Sequence, residues 1–214
     1  MKKVLVINTS ARTAGSKSRK LTEMFTESWE RTHDRPEIRF RELGTGDVPH
    51  ISGEWLTAAF KPAAARSEEE NGLLARSDIY ISELREADVI VLGAPMYNWS
   101  VPSTLKAWLD HVMRINETFR ADPARAPHPY IGLLKNKTLI LLLTRGNDGY
   151  EKGEHSEHMN FQSTYLETVF NIMGITDIHT IAVNGASLGA EMLESSIDRA
   201  RQAINRLVKG ELIL

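Results

Sequence analysis

The chain reads as an α/β protein built on a parallel sheet covered by helices on both faces. Three observations predict it. Five short apolar runs alternate with segments whose apolar residues recur every three to four positions. One run, "KTLILLLT" (137–144), is continuously apolar, as a strand buried on both faces is. No repeat, low-complexity tract or linker interrupts the alternation, so the 214 residues are expected to form one domain over 1–214.

The elements follow in order. "KKVLVIN" (2–8) is a β-branched run that ends in polar residues and predicts the first strand. The next segment places Leu21, Met24, Phe25 and Trp29 on one helical face. "EIRFREL" (37–43) alternates and predicts the second strand. Residues 44–65 are a long excursion with three glycines and two prolines around a short helix bearing Trp55, Leu56 and Phe60. Ser67 and Glu70 have capping-box spacing and open a helix carrying Leu73, Leu74, Ser77, Ile81 and Leu84. "DVIVLGA" (88–94) is the third strand, and Pro102 suits the first turn of the helix with Leu105, Trp108, Leu109 and Val112. Residues 116–136 form a second excursion. "KTLILLLT" follows as the best candidate for a central strand. Phe161, Tyr165, Leu166, Val169, Phe170 and Met173 mark one further helical face. "DIHTIAVN" (177–184) is the fifth strand, and Met192, Leu193, Ile197, Ala200, Ile204 and Leu207 mark the last helix. Five such units are too few for a closed eight-stranded barrel and favour a flavodoxin-like sheet of order 2-1-3-4-5.

Composition removes several classes. A net charge of −2 provides no electrostatic footprint for nucleic acid or an anionic membrane surface. With no cysteine, disulfides, thiolate nucleophiles and cysteine-type zinc sites are excluded, which suits a cytoplasmic location. Only the uncharged stretch Val4–Thr9 follows Met1-Lys2-Lys3, too short for a signal-peptide core, and no apolar run approaches a membrane span. His155 and His158 have no further ligand nearby in the sequence and read as solvated residues rather than a metal site.

In an open parallel sheet, ligands bind beyond the carboxyl ends of the strands. Three loops stand there. The first, "NTSARTAGSKSRK", surrounds Gly15 with Thr9, Ser10, Thr13, Ser16 and Ser18 and leads into a helix. Hydroxyls and N–H groups at a helix start suit phosphate, although the same residues also read as a plain Ser/Thr-rich cap. Neither a Walker loop nor a dinucleotide glycine fingerprint is present. In the second loop, Pro95 ends a strand and Met96, Tyr97, Asn98 and Trp99 follow; Tyr97 and Trp99 read as a wall for a flat ring, with the N–H groups around Asn98 at its polar edge, or simply as a core lid. The third, "TRGNDGYEKG" (144–153), brings Thr144, Arg145, Gly146 and Asn147. There Gly146 permits close backbone approach and Arg145 offers a charge. Together the loops describe a pocket with a phosphate end and a planar-ring end, the shape of FMN.

These residues also carry a resemblance. Ser10 with Ser16-Lys17-Ser18, "PMYNW" (95–99), "STLKAWLD" (103–110), "ETFR" (117–120), "TRGN" (144–147) and "MGITD" (173–177) resemble the FMN-dependent NADH:quinone oxidoreductases, or azoreductases, over almost the whole chain. The resemblance implies a flavodoxin-like homodimer with one FMN per subunit near the interface. It implies that NADH or NADPH reduces FMN, which then reduces quinones or azo compounds in ping-pong fashion, with no dedicated catalytic side chain. By the same resemblance, Ser10, Ser16, Lys17 and Ser18 would hold the phosphate. Met96, Tyr97, Asn98 and Trp99 would contact the ring and ribityl chain, and Thr144, Arg145, Gly146 and Asn147 the ring's other edge. The chain departs from the pattern at Asn147, where a second glycine is usual, at Ala121, where a tyrosine is common, and in "ADPARAPHPYIGLL" (121–134). A flavodoxin-like electron carrier without turnover of its own is the other class. Carriers need a strongly acidic docking face, which the near-neutral charge does not favour.

Overall fold

The computed structural model describes residues 2–210. The strands are β1 Lys3–Asn8, β2 Glu37–Glu42, β3 Val89–Pro95, β4 Phe119–Ala121, β5 Tyr130–Gly132, β6 Thr138–Thr144 and β7 Asp177–Val183. The helices are α1 Lys17–Thr32, α2 Gly53–Phe60, α3 Glu68–Glu86, α4 Ser103–Val112, α5 Ser163–Met173 and α6 Ala190–Val208. Five strands form one parallel sheet in the order β2-β1-β3-β6-β7. With the small hairpin left aside, this is the flavodoxin-like order 2-1-3-4-5. β6 is an interior strand, as its apolar run predicts, and β3 is the middle one. Continuous apolarity reports burial on both faces, and β6 has that burial while lying one place from the edge.

Side-chain alternation divides the core into two layers. Leu5, Ile7, Ile90, Leu92, Leu139 and Leu141 point to one face, where α3, α4 and α5 contribute Ile81, Leu84, Trp108, Leu109 and Phe170. Val4, Val6, Val89, Val91, Ile140 and Leu142 point to the other, where α1 and α6 contribute Leu21, Phe25, Trp29, Ile197 and Ile204. Each such fully buried aliphatic side chain contributes about 1.5–3 kcal/mol, so both layers are needed to hold the sheet. No helix among the described residues is long and apolar enough to cross a membrane.

Local signals set the helix starts. Ser67 Oγ accepts from Glu70 N–H at 3.2 Å while Glu70 accepts from Ser67 N–H at 2.7 Å, the reciprocal box that the spacing predicts. Pro102 lies just ahead of the first turn of α4 rather than within it. The start of α5 at Ser163 leaves Phe161 outside the helix and 59% exposed, instead of on its buried face. Asn160 sets that start, since its Oδ1 accepts from the N–H groups of Gln162 and Ser163. The second excursion holds an antiparallel hairpin of β4 and β5.

The first excursion is fastened to α4 through His111. Its ring is 2% exposed, and Nε2 lies 2.9 Å from the Pro49 carbonyl. Burial pulls the His111 pKa below its ordinary value, against the Pro49 carbonyl and Asp110, which favour the cation. A histidine depressed in the folded state contributes full stability above its unfolded pKa, about 6.5, and loses it as pH falls through the folded value. Melting temperature should therefore decline between pH 7.5 and 5 more steeply in the native chain than in His111→Gln. Equal slopes would remove His111 from the account.

Candidate functional site

The carboxyl ends of β1, β3, β6 and β7 open into a cleft of about 310 Å³. Ser10, Arg12, Gly15, Ser16 and Lys17 line one end, Pro95, Met96 and Tyr97 one wall, and Thr144, Arg145, Gly146, Ala186 and Ser187 the other. The three loops singled out from sequence thus converge. A fourth, after β7, joins them through Ala186 and Ser187, which sequence reasoning missed. Its signal was available in Asn184-Gly185, a turn beyond the carboxyl end of the fifth strand.

The first loop gathers hydroxyls, main-chain donors and cations at the start of α1. Thr9 is fixed to β3 by Oγ1 and N–H bonds to the Gly93 carbonyl at 2.9 and 3.2 Å. Gly93 lets the start of α1 approach β3, since a Cβ there would lie 2.5 Å from Thr22 Cγ2. Ser16 is the N-cap of α1, and its Oγ lies 3.3 Å from Ser18 Oγ. The N–H groups of Lys17 and Ser18 donate to no protein acceptor among the described residues. The first turn contains no acidic residue, yet Lys17, Arg19 and Lys20 cluster at this end. Cations there oppose the helix dipole, an arrangement that a bound anion would stabilise. Ser18, only 1% exposed, does not line the cleft and meets it through Ser16.

The second loop turns sooner than the ring-wall expectation requires. Tyr97 and Ser100 exchange two main-chain hydrogen bonds of 3.0 Å, and Asn98 and Trp99 have φ of 48° and 63°. Positive φ at both central positions defines a tight type I′ turn. It reverses the chain after Tyr97 and leaves Asn98 and Trp99 outside the cleft lining. Trp99, 47% exposed, accepts at its carbonyl from Phe161 N–H at 3.1 Å.

The third loop corrects the charge expected of Arg145. Its side chain is 0% exposed, and the guanidinium turns inward. It donates to Gln162 Oε1 at 3.1 Å and Glu151 Oε1 at 2.6 Å, and its carbon lies 5.5 Å from the Tyr150 ring centre. Gln162 in turn donates to the Ala94 carbonyl at 3.2 Å. Arg145 therefore ties the second and third loops together and offers the cleft only main chain. The N–H groups of Gly146 and Asn147 donate to no protein acceptor among the described residues. Asn147 is exposed and does not line the cleft.

Comparison with known proteins agrees with this architecture. The sequence model for the flavodoxin-like fold matches residues 2–208. An FMN-dependent NADH:quinone oxidoreductase 2 of Pseudomonas putida is 41% identical over 94% of this chain and 96% of its own length. An FMN-dependent NADH:quinone oxidoreductase of Azotobacter vinelandii is 41% identical over 95% of this chain and 98% of its own. Among solved structures, an azoreductase from Bacillus anthracis superposes with a TM-score of 0.86 over 98% of this chain and 100% of its own; at 24% identity that likeness concerns the fold.

Proposed function

This chain belongs to the flavodoxin-like family of FMN-dependent NADH:quinone oxidoreductases, and we propose that it is such an enzyme, one FMN-binding domain that moves two electrons from NADH to quinones or azo compounds. The carrying observation is the continuity of one cleft from the basic, hydroxyl-rich start of α1 to the backbone-lined gap between the ends of β3 and β6. Ser10, Ser16 and the first-turn N–H groups of Lys17 and Ser18 hold the FMN phosphate. Arg12 and Lys17 neutralise its charge. Met96 and Tyr97 form the wall beside the ring, and the free N–H groups of Gly146 and Asn147 face its polar edge. Asn98 and Trp99 stand at the rim, where an acceptor enters. Bound there, FMN would supply the redox chemistry, two-electron transfer between a nicotinamide and an acceptor. The protein contributes orientation and fixed N–H dipoles at the ring. Donor and acceptor occupy the same cleft in turn, so double-reciprocal plots of initial rate against NADH at several quinone concentrations should be parallel.

Exposed apolar side chains on both excursions support a homodimer. Phe60 is 72% and Leu56 41% exposed on the first, Tyr130 53% and Leu133 39% on the second. A second copy would cover them.

The test is direct. The purified protein, supplied with FMN, should show an oxidised-flavin spectrum, bleach with NADH and regain colour with benzoquinone. FMN bound tightly but not reduced by NADH would favour the electron-carrier class. Absence of FMN binding would overturn the reading.

A further inference from the structure

We propose that Arg19 is a positioning residue for the phosphate of the cofactor, locking the first loop into its anion-receiving shape together with Glu42; this rests on the FMN reading above. Arg19 is the third residue of α1, and its side chain, 14% exposed, reaches back under the loop. Nε donates to the Arg12 carbonyl at 2.9 Å, and one terminal nitrogen to the Ser10 carbonyl at 2.9 Å. Both terminal nitrogens donate to Glu42 at the end of β2, one of them at 2.7 Å from Oε1. Glu42 Oε1 also accepts from Gly44 N–H at 2.8 Å. One side chain therefore joins the start of the loop, its middle, the helix that follows it and the neighbouring strand.

The consequence follows from peptide geometry. In a trans peptide the C=O of one residue and the N–H of the next point in opposite directions. With the Ser10 and Arg12 carbonyls drawn onto Arg19, the N–H groups of Ala11 and Thr13 point away from it. Both donate to no protein acceptor among the described residues. With the first-turn N–H groups of α1 they make several uncommitted main-chain donors within one short loop, the kind of set that binds oxyanions. Arg19 is not itself the anion's partner, because four of its five N–H donors are committed to protein oxygens. Arg12 and Lys17, which make no ion pair among the described residues, are the cations of the cleft lining left for the ligand.

A positioning role makes a claim that general stability does not. Riboflavin shares the ring and ribityl chain of FMN but lacks the phosphate, so only FMN should report on the loop. Dissociation constants for FMN and riboflavin would be measured by flavin titration on the full chain, with melting temperature of the ligand-free protein alongside. Arg19→Lys, whose single ammonium cannot span the same acceptors, should weaken FMN roughly tenfold to a hundredfold, the effect of losing charged hydrogen bonds. Glu42→Gln should act in the same direction and leaves the Arg19 bonds to both carbonyls available, so it remains informative should the lysine variant fold poorly. Riboflavin affinity should stay within about twofold of the native value in both variants. Equal weakening of the two flavins, or no change in either, overturns the positioning role. A native protein that binds no FMN overturns the functional reading first and this inference with it.

Discussion

Replacing Gly44 with alanine should lower stability by about 2–3 kcal/mol and weaken FMN binding at least about a hundredfold. The added Cβ would lie 1.9 Å from the Ser10 carbonyl oxygen and 2.4 Å from its carbon. These are main-chain atoms, so no rotamer change relieves the overlap. Gly44 cannot retreat freely either, because its N–H donates to the Asn8 carbonyl at 3.2 Å and to Glu42 at 2.8 Å. The strain must move Ser10, which lines the cleft and is an acceptor for Arg19. For a chain of this size the destabilisation corresponds to roughly 4–12 °C in melting temperature. Gly72→Ala is the matched control. That glycine lies within α3 with nothing near the new methyl, so the same change should stabilise by about 0.5–1 kcal/mol. Thermal melts and FMN titrations of both variants decide the matter, and a Gly44→Ala protein with native affinity would show that the loop tolerates displacement.

The fold was legible because its signals are local. Each strand of the parallel sheet carries its own apolar run, and the capping serines and helical stripes lie within a few residues of one another. The apolar run of β6 told that it is an interior strand but not its rank, since apolarity measures burial and not position. The β4–β5 hairpin left no readable trace. Its strands have three residues each and lie among prolines, too short for alternation to register. That the serine-rich loop at the start of α1 lines the cleft was readable from its place beyond the end of the first strand. What Arg19 and Arg145 do was not, because a charged side chain's direction depends on partners brought close by the fold. Glu42 lies 23 residues from Arg19, at the end of β2. Gln162 lies 17 residues from Arg145, beyond a loop. Asn98 and Trp99 illustrate a related limit, since nothing in "PMYNWS" announces a turn needing positive φ at a tryptophan.

Glu151→Gln should destabilise the protein by about 2–4 kcal/mol although Glu151 itself is 47% exposed. The effect comes from what the substitution leaves behind. Arg145 has a completely buried side chain, and among the described residues Glu151 supplies the one carboxylate that meets it. Its other partners, Gln162, Ser163 and the Tyr150 ring, are uncharged. A buried guanidinium deprived of its counter-charge retains the full desolvation penalty, and water reaching the half-exposed Glu151 position lessens this only partly. The effect should pass to the site. Arg145 bonds Gln162, Gln162 bonds the carbonyl of Ala94 at the end of β3, and the main chain after Arg145 supplies the free N–H groups of Gly146 and Asn147. Loosening Arg145 therefore separates the two loops assigned to the flavin ring, and should weaken riboflavin and FMN by the same factor. That is the opposite of the phosphate-selective loss expected for Arg19→Lys. Removing the buried charge as well, in Arg145→Met/Glu151→Gln, should recover part of the stability, because the unpaired cation is then gone. A single Glu151→Gln variant within about 0.5 kcal/mol of the native protein would mean that water alone can satisfy Arg145.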